Sequence, residues 1–375
     1  MNAPVVAGDV IAEKYRVDRV LGRGGKGVVV DASHLVQPER VAIKLLVGDS
    51  SPALVERFLR EARAAVRLRG EHVARVLDVG QLDSGVPYLV MEHLDGRDLA
   101  ELLRDRGQLE ISEAIDYVLQ ACVAMAEAHA AGIVHGNLDP ANLFLTTTAG
   151  GATLLKVLEV GISSEPSSAG DGGAAAQEGL GVSLYVAPEQ LKPSRPVDAR
   201  ADIWSLGAIL YRLLTGQPPF AASSPADLAL RVASAEPALP SALRPDIPPA
   251  VERVLLGCLA KEPARRPANV AELAIALAPH APVGSQDYAQ RAARILGATL
   301  PPRPRASLPT IGLGLNAKQR SAPRLLQGAE PGAPALSRTF PQETSLLGRP
   351  TTRLAILAAL ASLLAILGVA AAQLK

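Results

Sequence analysis

The pattern of this 375-residue chain changes period once, near Gly96, and that change limits the folds open to it. Before it, β-prone runs recur at residues 15–20, 27–34, 40–46, 75–81 and 88–92. They are interrupted by one segment of helical spacing, residues 53–68, with Leu54, Phe58, Ala62, Ala65 and Val66 on one side. After Gly96 the spacing is helical over residues 98–106, 112–131, 199–214, 225–233 and 249–259. A chain written this way predicts a small β-rich lobe with one helix followed by a larger helical lobe, an α+β architecture.

At 48% hydrophobic the chain can fill a sizeable core. Its two cysteines, Cys122 and Cys258, sit inside apolar helical runs and read as buried, inert thiols. Charge is unevenly placed. Residues 281–353 hold ten Arg or Lys against three acids, so the residues before them carry the compensating negative excess. An acidic body argues against nucleic acid as its partner. Residues 279–353, rich in Pro and Arg, predict a disordered linker. Residues 354–372, LAILAALASLLAILGVAAA, carry no charge and are long enough to cross a hydrocarbon core of about 30 Å. They predict one membrane-spanning helix, with Arg349 and Arg353 placing everything before it in the cytoplasm. Residues 1–20 lack a basic start followed by an apolar run, so no signal peptide is expected.

Four stretches carry chemistry. Leu21-Gly22-Arg23-Gly24-Gly25-Lys26-Gly27-Val28-Val29 places a glycine-rich turn between two strands, where bare backbone can approach phosphate oxygens. Val41-Ala42-Ile43-Lys44 follows on the next strand, and Glu61 lies on the helix after it. The third stretch is His135-Gly136-Asn137-Leu138-Asp139-Pro140-Ala141-Asn142, and the fourth is Leu158-Glu159-Val160-Gly161. Ala187-Pro188-Glu189, Asp202-Ile203-Trp204-Ser205-Leu206-Gly207 and Arg265-Arg266-Pro267 come later. In this order and spacing the motifs resemble those of protein kinases, and the chain is identified as a member of the bacterial, eukaryotic-like Ser/Thr kinase family over residues 15–278.

The resemblance implies a two-lobed kinase fold, divided into residues 15–94 and 95–278, and a site for ATP with Mg²⁺ or Mn²⁺. Leu21, Val29, Ala42 and Phe144 match positions that enclose adenine. Met91 matches the back of the pocket, and Glu92 and Leu94 match the hinge. Gly22, Gly24 and Gly27 would cradle phosphates, Lys44 would hold them and Glu61 would fix Lys44. Asn142 and Glu159 match metal ligands. Glu189 with Arg266, and Asp202 beneath the catalytic loop, match architectural contacts.

The departures fall on phosphoryl transfer. Asn137 stands where an aspartate would take the substrate proton, a function worth about 10²–10⁴-fold in rate. Asp139 stands where a lysine would neutralise the γ-phosphate, Glu159 is one methylene too long, Val182 lacks a linking hydroxyl, and Gly136 lacks a phosphate-clasping arginine. These changes predict a pseudokinase at the inner membrane that binds ATP and an unidentified protein partner. The alternative is an active but unconventional Ser/Thr kinase, with Asp139 as a displaced base.

Overall fold

The computed structural model describes residues 5–24, 27–46, 51–162, 183–192 and 197–298. Its strands are β1 (Val10–Ile11), β2 (Tyr15–Gly24), β3 (Gly27–His34), β4 (Arg40–Leu45), β5 (Val76–Gln81), β6 (Pro87–Glu92), β7 (Gly96–Asp98), β8 (Leu143–Thr147) and β9 (Thr153–Val157). The helices are α1 (Pro52–Ala65), α2 (Leu99–Arg106), α3 (Ile111–Ala130), α4 (Arg200–Thr215), α5 (Pro225–Ser234), α6 (Pro240–Leu243), α7 (Pro249–Cys258), α8 (Val270–Leu277) and α9 (Gln286–Leu296).

The first lobe is a six-stranded antiparallel sheet in the order β1-β2-β3-β4-β6-β5. Strand alternation divides its residues between two faces. Val28, Val30, Val41, Ile43 and Leu45 pack on one face. Ala42, Leu89 and Met91 meet Phe58, Ala62 and Ala65 of α1 on the other. Lys44 shares the parity of Ala42 and so lies on the α1 side. Helix α1 begins where Ser51 accepts a hydrogen bond from the Leu54 N–H and Pro52 occupies the first turn. Gly27 closes the glycine turn at φ +146°; a Cβ there would lie 2.0 Å from the Leu45 carbonyl oxygen, so only glycine lets β3 and β4 approach this closely.

The second lobe is built on α3 and α4. Helix α4 is buried from Ala201 to Thr215 except at Arg212, and α3 is buried on most of its surface. Such helices are apolar nearly all round because other helices cover them on every side. A three-stranded sheet, β7-β8-β9, lies where the lobes meet. Cys122 and Cys258 are free and buried, and burial pushes the Cys258 thiol up to about 12 and that of Cys122 further, as inert core thiols require.

One boundary differs from expectation. The predicted linker from 279 begins too early, because α9 is an ordered helix with Ala289, Ala292 and Ala293 buried against the helical core. Asp287 in its first turn, Arg294 in its last and Gly297 in the left-handed cap are ordinary helix signals. The prolines that suggested a linker recur only from Pro301 onward. The remainder of that linker, the predicted span at 354–372, Gly181 and Val182 lie outside the described residues. Among the described residues no helix is long and apolar enough to cross a membrane.

Candidate nucleotide site and catalytic loop

The loop at residues 135–142 is held from below by Asp202 of α4. This fully buried carboxylate accepts the backbone N–H of His135 (2.9 Å) and of Gly136 (2.8 Å), together with His129 Nε2 (2.8 Å). His135 Nε2 donates to the Leu158 carbonyl at 3.1 Å, while its Nδ1 accepts the Asn137 N–H at 3.3 Å. A buried imidazole therefore ties the loop to the segment carrying Glu159. Gln190 adds a brace: its Nε2 donates to the Gly136 carbonyl (2.7 Å) and its Oε1 accepts the Ala187 N–H (2.9 Å). Gly136 sits at φ +68°, a conformation that a glycine adopts without the cost an arginine would bear.

On this frame Asn142 turns back, its Nδ2 donating to the Asn137 carbonyl at 2.8 Å. The Asn137 carboxamide makes no hydrogen bond among the described residues. Asp139 differs from expectation. It caps the 3-10 turn Pro140–Asn142, its Oδ1 accepting the Ala141 N–H (2.8 Å) and the Asn142 N–H (3.1 Å). The residue expected to oppose phosphate thus also has a structural role in the loop. Burial raises the Asp139 pKa, and the charge of Glu159 pushes the same way, against the pull of the two backbone N–H groups.

The partner of Lys44 also differs from the Glu61 expected. Lys44 Nζ lies 2.6 Å from both Glu159 Oε1 and Oε2, with 11% and 17% of the two side chains exposed. Lys44 is therefore fixed by Glu159, while Glu61 accepts from Arg57 Nε one helical turn earlier at 3.0 Å. The extra methylene of glutamate gives Glu159 the reach for this bidentate contact. Glu159 itself has φ +54°, a conformation costing a non-glycine residue about 1 kcal/mol, of the kind that gathers at functional sites.

The residues expected around a nucleotide line the cleft. Val29, Ala42 and Phe144 are half-buried apolar groups, and Leu21 is 46% exposed at the rim. Met91 pairs in register with Ala42 and is buried behind it. Gly22 pairs with Val29, and a Cβ at Gly22 would meet nothing within 4 Å. Protein packing does not demand glycine there, whereas close approach by a ligand does, so the cradle fits a nucleotide. Gly24 pairs with Gly27 at the turn. Leu94 is half-buried, and the Glu92 side chain is engaged by protein groups: Oε1 accepts the Arg75 N–H and Lys156 Nζ, each at 2.8 Å. The proposed metal ligands fit less well. Both oxygens of Glu159 contact Lys44.

Sequence reading overlooked three residues: His129, Gln190 and Lys156. Lys156 was visible as the single charge within the apolar run Leu154-Leu155-Lys156-Val157-Leu158. Only 8% exposed, it links the first lobe's hinge to β9 through Glu92. The expected Glu189–Arg266 pair is present and bidentate, at 2.6 and 2.8 Å, with the guanidinium also over Trp204.

A glycine-cradled cleft above a histidine-anchored loop, between a sheet lobe and a helical lobe, defines a protein-kinase-like molecule. The chain belongs to the protein kinase domain family, whose profile matches residues 15–276. It is similar to the serine/threonine-protein kinase pkn3 of Myxococcus xanthus, at 34% identity over 91% of this chain and 66% of that one. It is 33% identical to the serine/threonine-protein kinase PknB of Mycobacterium tuberculosis over 70% of this chain and 42% of that one. The crystal structure of the Mycobacterium tuberculosis PknI kinase domain matches with a TM-score of 0.58 and 30% identity, covering 74% of this chain and 100% of that domain. These relatives support membership of the eukaryotic-like Ser/Thr kinase family. It spans about two-fifths to two-thirds of the length of the curated relatives.

Proposed function

We propose that this chain is a membrane-tethered, kinase-like signalling protein that binds ATP and transfers phosphate very slowly or not at all. The observation that carries the reading is the Asn137 carboxamide in a catalytic loop whose frame, His135, Asn142 and the Asp202 contacts beneath it, is kept. A neutral amide offers the substrate hydroxyl no base, and the nearest carboxylate in sequence, Asp139, is occupied as a cap. Adenine would lie among Leu21, Val29, Ala42, Met91 and Phe144, with the Glu92–Leu94 backbone at its edge and the glycine turn over its phosphates. When bound, ATP supplies the transferable phosphoryl group. Lys44, engaged by Glu159, would have to exchange that partner for a phosphate. Glu159 would have to release Lys44 before it could hold a cation. The uncharged run at 354–372 supports an inner-membrane anchor with the kinase-like domain in the cytoplasm.

The test uses residues 1–298, which retain α9. ATP binding is titrated with and without Mg²⁺ or Mn²⁺, and phosphate transfer to a generic protein substrate is followed beside a Lys44→Ala control. Saturable binding without Lys44-dependent transfer is expected; transfer abolished by Lys44→Ala overturns the reading. Asn137→Asp combined with Glu159→Asp should then create measurable transfer, by about 10²-fold or more over the parent.

A further inference from the structure

Helix α9 lies beyond the family match, which ends at residue 276, yet it touches the first lobe's own connection. Its Arg291 Nη1 pairs with Glu71 at 2.5 Å, and the Tyr288 ring meets the His72 ring edge-on at 5.2 Å. Glu71 and His72 belong to the loop that follows α1, and that loop is tied to β9. His72 Nδ1 donates to the Leu155 carbonyl (2.9 Å), the Val157 N–H donates to the His72 carbonyl (2.8 Å), and the Ala74 N–H returns to the Val157 carbonyl (2.9 Å). Lys156 Nζ reaches the Val73 carbonyl at 3.4 Å and the hinge residue Glu92 at 2.8 Å. Two residues beyond Val157 stands Glu159, the partner of Lys44. A continuous path of bonded groups thus joins the outer face of α9 to both ends of the nucleotide cleft, the hinge and the Lys44–Glu159 pair.

We propose that Arg291 and Tyr288 are positioning residues for this cleft, acting through residues 71–74 and β9. The loop is already held on its other side by Glu127 of α3, which accepts the Arg69 and Gly70 N–H groups. Helix α9 closes the remaining side, so its seating sets how firmly β9 and Glu159 are held. The inference rests on the nucleotide-binding reading for its affinity readout and is independent of it for its structural one.

The experiment takes the full chain and its Arg291→Glu, Glu71→Arg and doubly exchanged variants. Each is titrated with the fluorescent probe trinitrophenyl-ATP, and hydrogen exchange is followed at the Ala74 and Val157 amides. Arg291→Glu should weaken probe binding by about fivefold, the scale of one partly exposed ion pair, and hasten exchange at both amides. The charge exchange should restore both, and Tyr288→Ala should act in the same direction as Arg291→Glu. Faster exchange confined to α9, with probe affinity and the Val157 amide unchanged, overturns the proposal. Should Arg291→Glu not fold, Arg291→Gln carries the same two readouts. Failure of the parent to bind the probe would remove the nucleotide reading, while Val157 exchange would still decide whether α9 holds β9.

Discussion

Two bidentate ion pairs mark two regions of this domain. Glu189–Arg266 lies in the helical lobe with 3% and 0% of its side chains exposed; Lys44–Glu159 lies in the cleft with 17% of Glu159 and 11% of Lys44 exposed. The first is supported on every side: the guanidinium also donates to the Ala260 and Arg200 carbonyls and lies against Trp204. The second joins two groups that a nucleotide and a cation would otherwise claim. A pair can therefore serve as architecture or as the occupant of a site, and the number of additional partners around the cation tells which.

If that distinction is right, Arg266→Ala should destabilise the protein far more than loss of the cleft pair. It strands a buried carboxylate and two carbonyls, and losses of about 3–5 kcal/mol are typical when one member of a buried pair is removed. Urea unfolding measures this directly. A loss below about 1 kcal/mol would mean the helical-lobe pair is no more structural than the cleft pair.

The same contrast shows what the sequence made legible. Glu189, Arg266, Asp202 and Lys44 stand at fixed spacings within motifs, and three of them meet their expected partners because each contact joins segments whose path the fold sets. The partner of Lys44 was not legible. Motif order offers Glu61 as that partner, whereas the structure pairs Lys44 with Glu159 and Glu61 with Arg57. Asp139 was read by its charge, whereas its role follows from the extended backbone (φ −147°, ψ 170°) that aims its carboxylate at the next turn. Helix α9 is obscured in the sequence by the proline-rich stretch that follows it from Pro301. Within α9 alone, Ala289, Ala292, Ala293 and Leu296 have clear helical spacing.

The cleft pair predicts a gain rather than a loss. Glu159→Gln removes the charge that holds Lys44 and so frees the ammonium for phosphate. One charge-assisted hydrogen bond of about 1.5 kcal/mol made available to the ligand should tighten ATP binding by about tenfold when measured without divalent cations. Isothermal titration in chelator reads this effect. Unchanged or weaker binding would show that Lys44 already reaches phosphate past Glu159, and the contrast between the two regions would then collapse.

The smallest effect separates the two properties of Asp139. Asp139→Ala should cost about 1 kcal/mol, the usual loss when a capping oxygen is removed. Asp139→Asn keeps an oxygen for the Ala141 and Asn142 N–H groups while deleting the buried charge. Because burial raises the folded-state pKa above the ordinary 3.8, the native state binds this proton more tightly than the unfolded chain. The stabilisation that follows is fully present below the unfolded pKa and is lost as pH rises through the raised value. Asp139→Asn has no such loss, so thermal melts should find it equal to or more stable than the parent at neutral pH, with any advantage shrinking towards pH about 4. If Asp139→Asn falls at neutral pH as far as Asp139→Ala, the negative charge itself is what caps the turn. The catalytic loop would then depend on an ionised Asp139 for its shape.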